Sequence, residues 1–289
     1  MTQEALLRYA YKQAKTFHGE EEAVKYLLME LSNLEPHAFF MAMKQEVDPA
    51  LEIRYKEALK RYLEDHIPVQ HLIGHSYFFG YKLKVNEHVL IPRAETEQLV
   101  EHVLYYIDTY FPHHDLHLLD LGTGSGCIGL TLAKEEPRCI VEASDISVDA
   151  LEVAKINRKR LDVDVELTES NLFQNIHKRF DIIVSNPPYI PDQEIVEDIV
   201  QKEPSVALYG GTLGIDFYEK ILVEAKHYLK EKALIAFEHG YQQKALLAHL
   251  ARLYYPHSTI IQAKDLQGKD RFTFIGIGGV LENEQVSEK

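Results

Sequence analysis

Apolar residues recur every three or four positions through the first 65 residues, which is the spacing of amphipathic helices. Glycine is nearly absent from this stretch, and Pro36 and Pro49 fall where helices would begin. We therefore predict a small helical bundle over residues 1–66. A packing cap and a partner-recognition domain both agree with this pattern, and partner recognition is the role we predict. The apolar positions are Leu6, Leu7, Ala10 and Ala14, then Val24, Leu27, Leu28 and Leu31, then Leu51, Tyr55, Leu59 and Tyr62.

The period of the pattern changes after this helical region. Tyr81, Leu83 and Val85 alternate with polar residues, which indicates a half-exposed strand. Gly80 suits a turn between this strand and the apolar residues just before it. We predict a β-hairpin linker over residues 67–92.

From about residue 96 onward, strand-like and helix-like segments alternate. Such repeated strand–helix units predict a mostly parallel sheet with helices on both faces over residues 93–280. The last two strands are joined by a short polar loop and should pair as antiparallel neighbours. The polar residues 281–289 are expected to be a disordered tail. The predicted strands are His117–Leu121, Cys139–Ala143, Val163–Leu167, Phe180–Val184, Ala233–Phe237, Ser258–Gln262 and Phe272–Ile277, and the clearest helices are Val148–Leu161, Phe217–Leu229 and Gln242–Leu253.

Composition and charge narrow the class of protein. No apolar run approaches the roughly 20 residues of a membrane span, and the N-terminus lacks the pattern of a secretory signal, so we expect a cytoplasmic protein without a membrane partner. The net charge of −14 argues against direct binding to nucleic acid through phosphates. Two cysteines are too few for a disulfide framework or a zinc cage. His113, His114 and His117 are close together, but nothing completes a ligand set, and we predict a solvated loop and no metal.

The first candidate for chemistry is a glycine loop. Gly122, Gly124 and Gly126 follow a predicted strand and precede a helix, and Asp145 ends the next strand about 20 residues later. An acid at that distance is placed to bind ribose hydroxyls. Nicotinamide dinucleotides are disfavoured because the spacing is GxGxG, and because Asp120 before the loop suits an ammonium group. S-adenosylmethionine carries an ammonium and a sulfonium group and no phosphate.

The second candidate is the segment Asn186-Pro187-Pro188-Tyr189, which directly follows an apolar strand. Two prolines fix the backbone and remove two N–H groups, so the exposed polar atoms are mainly carbonyl oxygens and the Asn186 side chain. A planar NH2 group needs such acceptors: the Asn186 side-chain oxygen and the Pro187 carbonyl can each accept one N–H. Tyr189 can pack on the flat face of the group. We predict methyl transfer to a planar nitrogen.

With these motifs the chain resembles the HemK/PrmC family, the protein-glutamine N5-methyltransferases that modify peptide chain release factors. The Asn-Pro-Pro-Tyr motif is shared with enzymes that methylate adenine and other amino groups, whereas the flanking segments are more specific. The segments that carry the resemblance are PVQHLIG, VLIPRAETEQLVE, LDLGTGSG, SNPPYI, EPSVAL with the glycine pair after it, and KDLQGKDR.

The resemblance implies an α/β, Rossmann-like class I methyltransferase sheet with an antiparallel last strand. It implies S-adenosyl-L-methionine as cofactor, and as substrate the glutamine in the Gly-Gly-Gln loop of class-1 peptide chain release factors. The implied cofactor residues are Gly122, Thr123, Gly124, Ser125, Gly126, Asp145, Asn171, Leu172 and Asn186. The implied substrate residues are Asn186, Pro187, Pro188, Tyr189, Glu203 and Arg93, and the catalytic ones among them are Asn186, Pro187 and Tyr189. The resemblance also implies that Glu95 and Thr96 lie with Arg93 at the entrance of the cleft.

Two positions depart from the family pattern, which usually has proline where this chain has Ala94 and aspartate where it has Asn171. Two other functions stay open at this point. Methylation of an adenine or another nucleic-acid amino group would use the same loop chemistry, although the acidic charge argues against it. A cofactor-binding scaffold without turnover is the third possibility, and the intact Asn186 and Tyr189 argue against that.

Overall fold

The computed structural model describes residues 1–112 and 115–284. The chain folds into two compact units. The first comprises Met1–His75 together with Val196–Lys202, and the second comprises Ser76–Ile195 and the residues from Glu203 onward. The first unit therefore extends beyond residue 66 and takes in a short segment from the second half of the chain.

The first unit is helical, as its apolar period predicts. Thr2 caps the first helix, where its Oγ1 accepts a hydrogen bond from the Ala5 N–H at 3.3 Å. Leu6, Leu27 and Tyr55 are fully buried in its core, and the Tyr55 hydroxyl donates to the Val24 carbonyl at 2.9 Å. The helices are α1 (Gln3–Phe17), α2 (Glu21–Ser32), α3 (Pro36–Met41), α4 (Pro49–Asp65) and α5 (Val69–Ile73).

The hairpin forms where the alternating pattern lies, but it is shorter than the predicted linker. Strands β1 (His75–Phe78) and β2 (Tyr81–Lys84) pair through a turn at Gly80, whose φ is +79°. The prediction of a hairpin linker from residue 67 is wrong for α5. Pro68 starts that helix and Gly74 ends it in a left-handed conformation, so local capping decides the structure there.

The second unit contains a seven-stranded sheet with the strand order β5-β4-β3-β6-β7-β9-β8. Strands β3 to β7 pair in parallel, and β9 is antiparallel to both β7 and β8. The predicted parallel sheet and its antiparallel last strand are confirmed. The strands are β3 (Leu116–Leu121), β4 (Cys139–Asp145), β5 (Val165–Glu169), β6 (Phe180–Ser185), β7 (Leu229–Glu238), β8 (Thr259–Lys264) and β9 (Asp270–Ile277), and the helices are α6 (Ala94–Tyr110), α7 (Cys127–Glu135), α8 (Val148–Leu161), α9 (Asp216–Ala225) and α10 (Lys244–Tyr254).

Successive residues of the central strands pack on opposite faces of this sheet. Leu118 and Ile182 belong to one apolar core, and their neighbours Leu119 and Ile183 belong to another. All six residues of β6 are buried, as expected for a parallel strand covered by helices on both faces. The strand that carries the Asn-Pro-Pro-Tyr segment is thus held in the middle of the unit.

The predicted disordered tail starts too early. Val280 and Leu281 are fully buried and belong to the same core as Leu118. Their side chains are apolar, so burial stabilises this stretch although the residues after it are polar. Residues 285–289 lie outside the described residues, as do His113 and His114.

No helix in the described ranges is long and apolar enough to cross a membrane. In the same ranges, no three histidine, cysteine, aspartate or glutamate side chains are grouped so that they could hold a metal ion.

Candidate active site

A pocket lies at the carboxyl ends of β3, β4, β5 and β6, the edge at which open parallel sheets bind ligands. Both candidate motifs contribute to it, although they are far apart in sequence. The predicted site residues that line it are Gly122, Gly124, Asp145, Asn171, Leu172, Asn186, Pro187 and Pro188.

The glycine loop connects β3 to α7. The φ angles of Gly122, Gly124 and Gly126 are +78°, +55° and +85°, values that residues with a side chain rarely adopt. A Cβ added at Gly122 or Gly124 would meet no described atom within 4 Å, so the backbone there is open to a ligand. At Gly126 a Cβ would lie 2.5 Å from Leu130 Cδ1. Gly126 therefore permits helix packing, and it does not line the pocket.

Asp145 faces the pocket from the end of β4. Its Oδ2 accepts a hydrogen bond from the Gly124 N–H at 2.8 Å, and its Oδ1 accepts one from the Ser147 N–H at 2.9 Å. Burial raises the pKa of this carboxyl, and the backbone hydrogen bonds oppose that rise. Each carboxylate oxygen has a further lone pair, so Asp145 can accept hydroxyl groups of a ligand while it holds the loop.

Asp120 lies behind the glycine loop. It is fully buried, and its Oδ2 accepts hydrogen bonds from Thr123 Oγ1 at 2.5 Å and from the Gly129 N–H at 2.8 Å. Burial raises the pKa of this carboxyl to about 6, and its Oδ1 has no hydrogen-bond partner among the described residues. Asp120 thus holds the loop against α7 and does not line the pocket, so its contact with an ammonium group stays a prediction.

Asn171 and Leu172 reach the pocket from the turn after β5. The Ser170 N–H donates to the Asp145 carbonyl at 2.9 Å, and the Ser170 hydroxyl donates to the Leu172 carbonyl at 2.7 Å. Leu172 has a φ of +49°, an uncommon value for a residue with a side chain. The turn is therefore held by one hydrogen bond to β4 and one within the turn itself, and it places one amide and one apolar side chain on the pocket wall.

The Asn186 side chain is the most distinctive polar group of the pocket. Its Nδ2 donates to Thr96 Oγ1 at 3.3 Å, whereas its Oδ1 is buried without a hydrogen-bond partner in the part of the chain that the structure describes. An orphaned buried acceptor is unfavourable. In a pocket, such an atom indicates a ligand that donates an N–H or O–H.

The backbone after Asn186 is held from behind by a glycine-rich segment. A Cβ at Gly210 would lie 2.3 Å from the Pro188 carbonyl oxygen, and one at Gly214 would lie 2.0 Å from the Tyr189 carbonyl oxygen. Gln243 Nε2 also donates to that Tyr189 oxygen at 2.7 Å. These close approaches explain why glycines occur here, and they hold the loop in one position.

The other predicted site residues frame the pocket without lining it. Glu203 is only 5% exposed; its Oε2 accepts the Ile91 N–H at 2.8 Å, and its Oε1 pairs with the Arg93 guanidinium. This pair fastens the segment before α6 to the segment after the Asn-Pro-Pro-Tyr loop. Thr123, Ser125 and Tyr189 are also not among the lining residues, so their direct contact with a ligand stays a prediction.

Several pocket residues were not predicted from the sequence. His88, Val89 and Leu90 follow the hairpin, and Val206, Ala207 and Phe217 come from the region after residue 202. Val89, Leu90, Val206 and Ala207 belong to segments that carry the family resemblance. That resemblance identified the segments as specific, but nothing in the sequence shows that they reach the same pocket as Asp145.

The sheet order, the glycine loop with its acid, and the Asn-Pro-Pro-Tyr loop at the end of β6 together define a Rossmann-like methyltransferase. A crystal structure of a methyltransferase from Pyrococcus furiosus shares this fold, with a TM-score of 0.52 and 20% identity over 79% of this chain and 96% of that one.

The more particular relationship comes from sequence. Residues 99–241 match the family "Methyltransferase small domain", and residues 5–74 match "PrmC N-terminal domain". A release factor glutamine methyltransferase of Bacillus cereus is 37% identical over 92% of this chain and 97% of its own length. The Streptococcus pneumoniae protein of the same name is 39% identical over 90% and 93%. The chain belongs to the release factor glutamine methyltransferase family and is a methyltransferase.

Proposed function

We propose that this chain methylates the side-chain amide nitrogen of the glutamine in the Gly-Gly-Gln loop of class-1 peptide chain release factors, with S-adenosyl-L-methionine as the methyl donor. The observation that carries the proposal is the Asn186 side chain, whose Oδ1 is a buried acceptor without a partner among the described residues. The names of the relatives support the choice of substrate. The proposal places the enzyme in the cytoplasm, where release factors act.

The pocket fits the methyl donor. Gly122 and Gly124 leave the backbone open to a ligand, and Asp145 offers a carboxylate at the position that suits ribose hydroxyls. Asn171 and Leu172 supply one polar and one apolar group for a flat base. The loop Gly122–Gly126 and these three residues would hold the cofactor, which supplies an electrophilic methyl group on a sulfonium when it is bound.

The Asn-Pro-Pro-Tyr loop orients the acceptor nitrogen. An amide nitrogen is a weak nucleophile because its lone pair is delocalised into the carbonyl group. If Asn186 Oδ1 and the Pro187 carbonyl each accept one N–H, the lone pair is directed toward the methyl group. These hydrogen bonds strengthen as positive charge develops on nitrogen, so they stabilise the transition state more than the ground state. Orientation of this kind can contribute about 7–11 kcal/mol.

Proton transfer needs no strong base in this scheme. Burial raises the pKa of Tyr189 to about 12, so its phenol stays neutral at neutral pH and serves as an apolar surface for the amide plane. The methylated nitrogen is acidic while it is positively charged, and it can release its proton to water.

The proposal includes recognition of the release factor by the helical domain, residues 1–66. Phe40 and Met41 are neighbours at the end of α3 and are 58% and 71% exposed, so their apolar side chains are available for contact with a partner. We expect Met41→Glu to raise the KM for the release factor while the KM for the methyl donor stays constant. An equal change in both KM values would contradict the recognition role.

The direct test is transfer of labelled methyl groups to a purified class-1 release factor, beside a copy whose Gly-Gly-Gln glutamine is changed to alanine. We expect label on the unaltered factor alone. Label on both would show a different acceptor residue. Label on DNA or RNA and on neither protein would instead support the alternative, methylation of a nucleic-acid amino group.

A further inference from the structure

Thr96 joins the Asn186 side chain to a buried carboxylate. It lies in the first turn of α6 and is 2% exposed, and Glu238, at the end of β7, is 1% exposed. Thr96 Oγ1 donates to Glu238 Oε2 at 2.7 Å and accepts from Asn186 Nδ2 at 3.3 Å. We propose that Thr96 and Glu238 are positioning residues that fix which end of the Asn186 amide is presented to the substrate, an inference that rests on the proposed function of Asn186.

The direction of the two hydrogen bonds follows from the chemistry of the three groups. An ionised carboxylate only accepts, so the single hydroxyl hydrogen of Thr96 must be given to Glu238. The Thr96 oxygen then accepts a hydrogen bond from Asn186, and only the NH2 group of the Asn186 amide can donate it. The amide oxygen of Asn186 is left for an N–H of the substrate.

Without this arrangement the Asn186 amide has two similar orientations. The terminal torsion of asparagine is broad and roughly two-fold, and the two ends of the amide are almost equal in size. A lone hydroxyl neighbour does not distinguish the two ends, because it can either donate or accept. In the reversed orientation, Asn186 would present a donor to the donor groups of the substrate, and that fraction of the enzyme would be inactive.

Burial of the Glu238 carboxylate is unfavourable for the stability of the fold. Glu238 lies on a core strand, and burial raises its pKa to about 7, although the charges of Arg271 and Arg93 lower it. The Arg271 guanidinium itself donates to Asp265 Oδ2 at 3.1 Å and to the His239 carbonyl at 3.4 Å. A buried carboxylate often destabilises a fold relative to an apolar residue. A role in directing Asn186 accounts for its presence.

The kinetic test compares Thr96→Val, which keeps the shape and removes the hydroxyl, with Thr96→Ser, which keeps the hydroxyl. The matched control is Thr109→Val on the same helix, where the exposed hydroxyl donates only to the Tyr105 carbonyl of its own helix. We expect T96V to lower kcat about ten- to hundred-fold with little change in KM for the methyl donor. T96S should retain most of the activity, and T109V should match the unaltered enzyme. Equal activity of T96V and the unaltered enzyme would overturn the proposal.

A second measurement reads the orientation without any substrate. The side-chain NH2 resonances of Asn186 can be identified by NMR through their disappearance in N186A. We expect T96V and E238L to shift or broaden these resonances, while T109V leaves them in place. Unchanged resonances in both variants would overturn the inference. Absence of methyl transfer by the unaltered enzyme would count against the proposed function alone.

Discussion

Asp145 Oδ2 accepts a hydrogen bond from the Gly124 N–H at 2.8 Å, so the acid after the second sheet strand is also a structural part of the glycine loop. The glycine loop and Asp145 therefore form one hydrogen-bonded unit. The carboxylate holds a stretch of backbone that is open to the pocket, in which Gly124 has a positive φ.

Replacement of Asp145 should mainly weaken cofactor binding. We expect Asp145→Ala to raise the Kd for S-adenosylmethionine about ten- to hundred-fold, because hydrogen bonds to a charged group contribute about 1.5–3 kcal/mol each. Isothermal titration calorimetry checks this, with Asp164→Ala, an exposed aspartate before β5, as the control. An unchanged Kd in a folded Asp145→Ala variant would show that the carboxylate does not contact the cofactor.

Replacement of Asn186 should mainly affect turnover. We expect Asn186→Ala to lower kcat by at least about a hundred-fold, since it removes an acceptor that acts in the transition state. The thermal unfolding midpoint should change little, because Asn186 Oδ1 makes no hydrogen bond with the described residues and Nδ2 makes only a long one, to Thr96 Oγ1 at 3.3 Å. Asn283→Ala, at an exposed position outside the pocket lining, is the control. Near-normal turnover would refute the proposed mechanism.

The glycine segment behind the Asn-Pro-Pro-Tyr loop can be tested through sterics. Gly210→Ala places a methyl group 2.3 Å from the Pro188 carbonyl oxygen, so the loop must move. We expect a loss of about 2–3 kcal/mol in the free energy of unfolding, and a lower kcat. Gly268→Ala, where a Cβ meets no described atom but φ is +79°, should cost only about 1 kcal/mol and leave kcat unchanged. Equal kcat values for the two variants would argue that the loop position is not critical.

The pH dependence of kcat should follow Glu238. Its pKa is raised to about 7 by burial; Thr96 from α6 and the Arg271 charge from β9 lower it, as does Arg93, while Glu95 raises it. Below this pH the protonated carboxyl can donate to Thr96, and the bias on Asn186 is lost. We expect kcat at saturating substrate to fall as pH decreases through about 7. This limb should be absent in T96V; its persistence there would assign the titration to another group.

The same carboxyl should make stability depend on pH in the opposite sense. The folded-state pKa of Glu238 is about 7 against an ordinary value of 4.5, so its contribution to stability is present at low pH and is lost as pH rises through about 7. Glu238→Gln should therefore be more stable than the unaltered protein at pH 8, by at most about 3 kcal/mol. The gain should grow between pH 6 and pH 8 in urea unfolding. A less stable Glu238→Gln variant at pH 8 would show that the ionised carboxylate stabilises the fold.

The spacing of apolar residues within each short segment determined most of the secondary structure. The helix Val148–Leu161 has the bounds that its pattern predicts, because its apolar spacing, its Ser147 cap and its polar surroundings all agree. The antiparallel end of the sheet followed from loop length alone. Helix α5 was missed because it is short, and short helices depend on capping at residues such as Pro68 and Gly74 more than on period.

The tertiary structure decided which residues meet. Thr96 lies 90 positions from Asn186 and 142 from Glu238, so their hydrogen bonds depend on the pairing of β6 with β7 in the sheet and on the packing of α6. The sequence by itself determined the two loops, their glycines and their chemical character, because backbone conformation and hydrogen-bonding capacity are properties of short segments. Residues that hold those loops from distant segments, such as Glu238 and Gly210, are identified only by the tertiary structure. A contact between two distant segments produces no periodic pattern in the sequence of either segment.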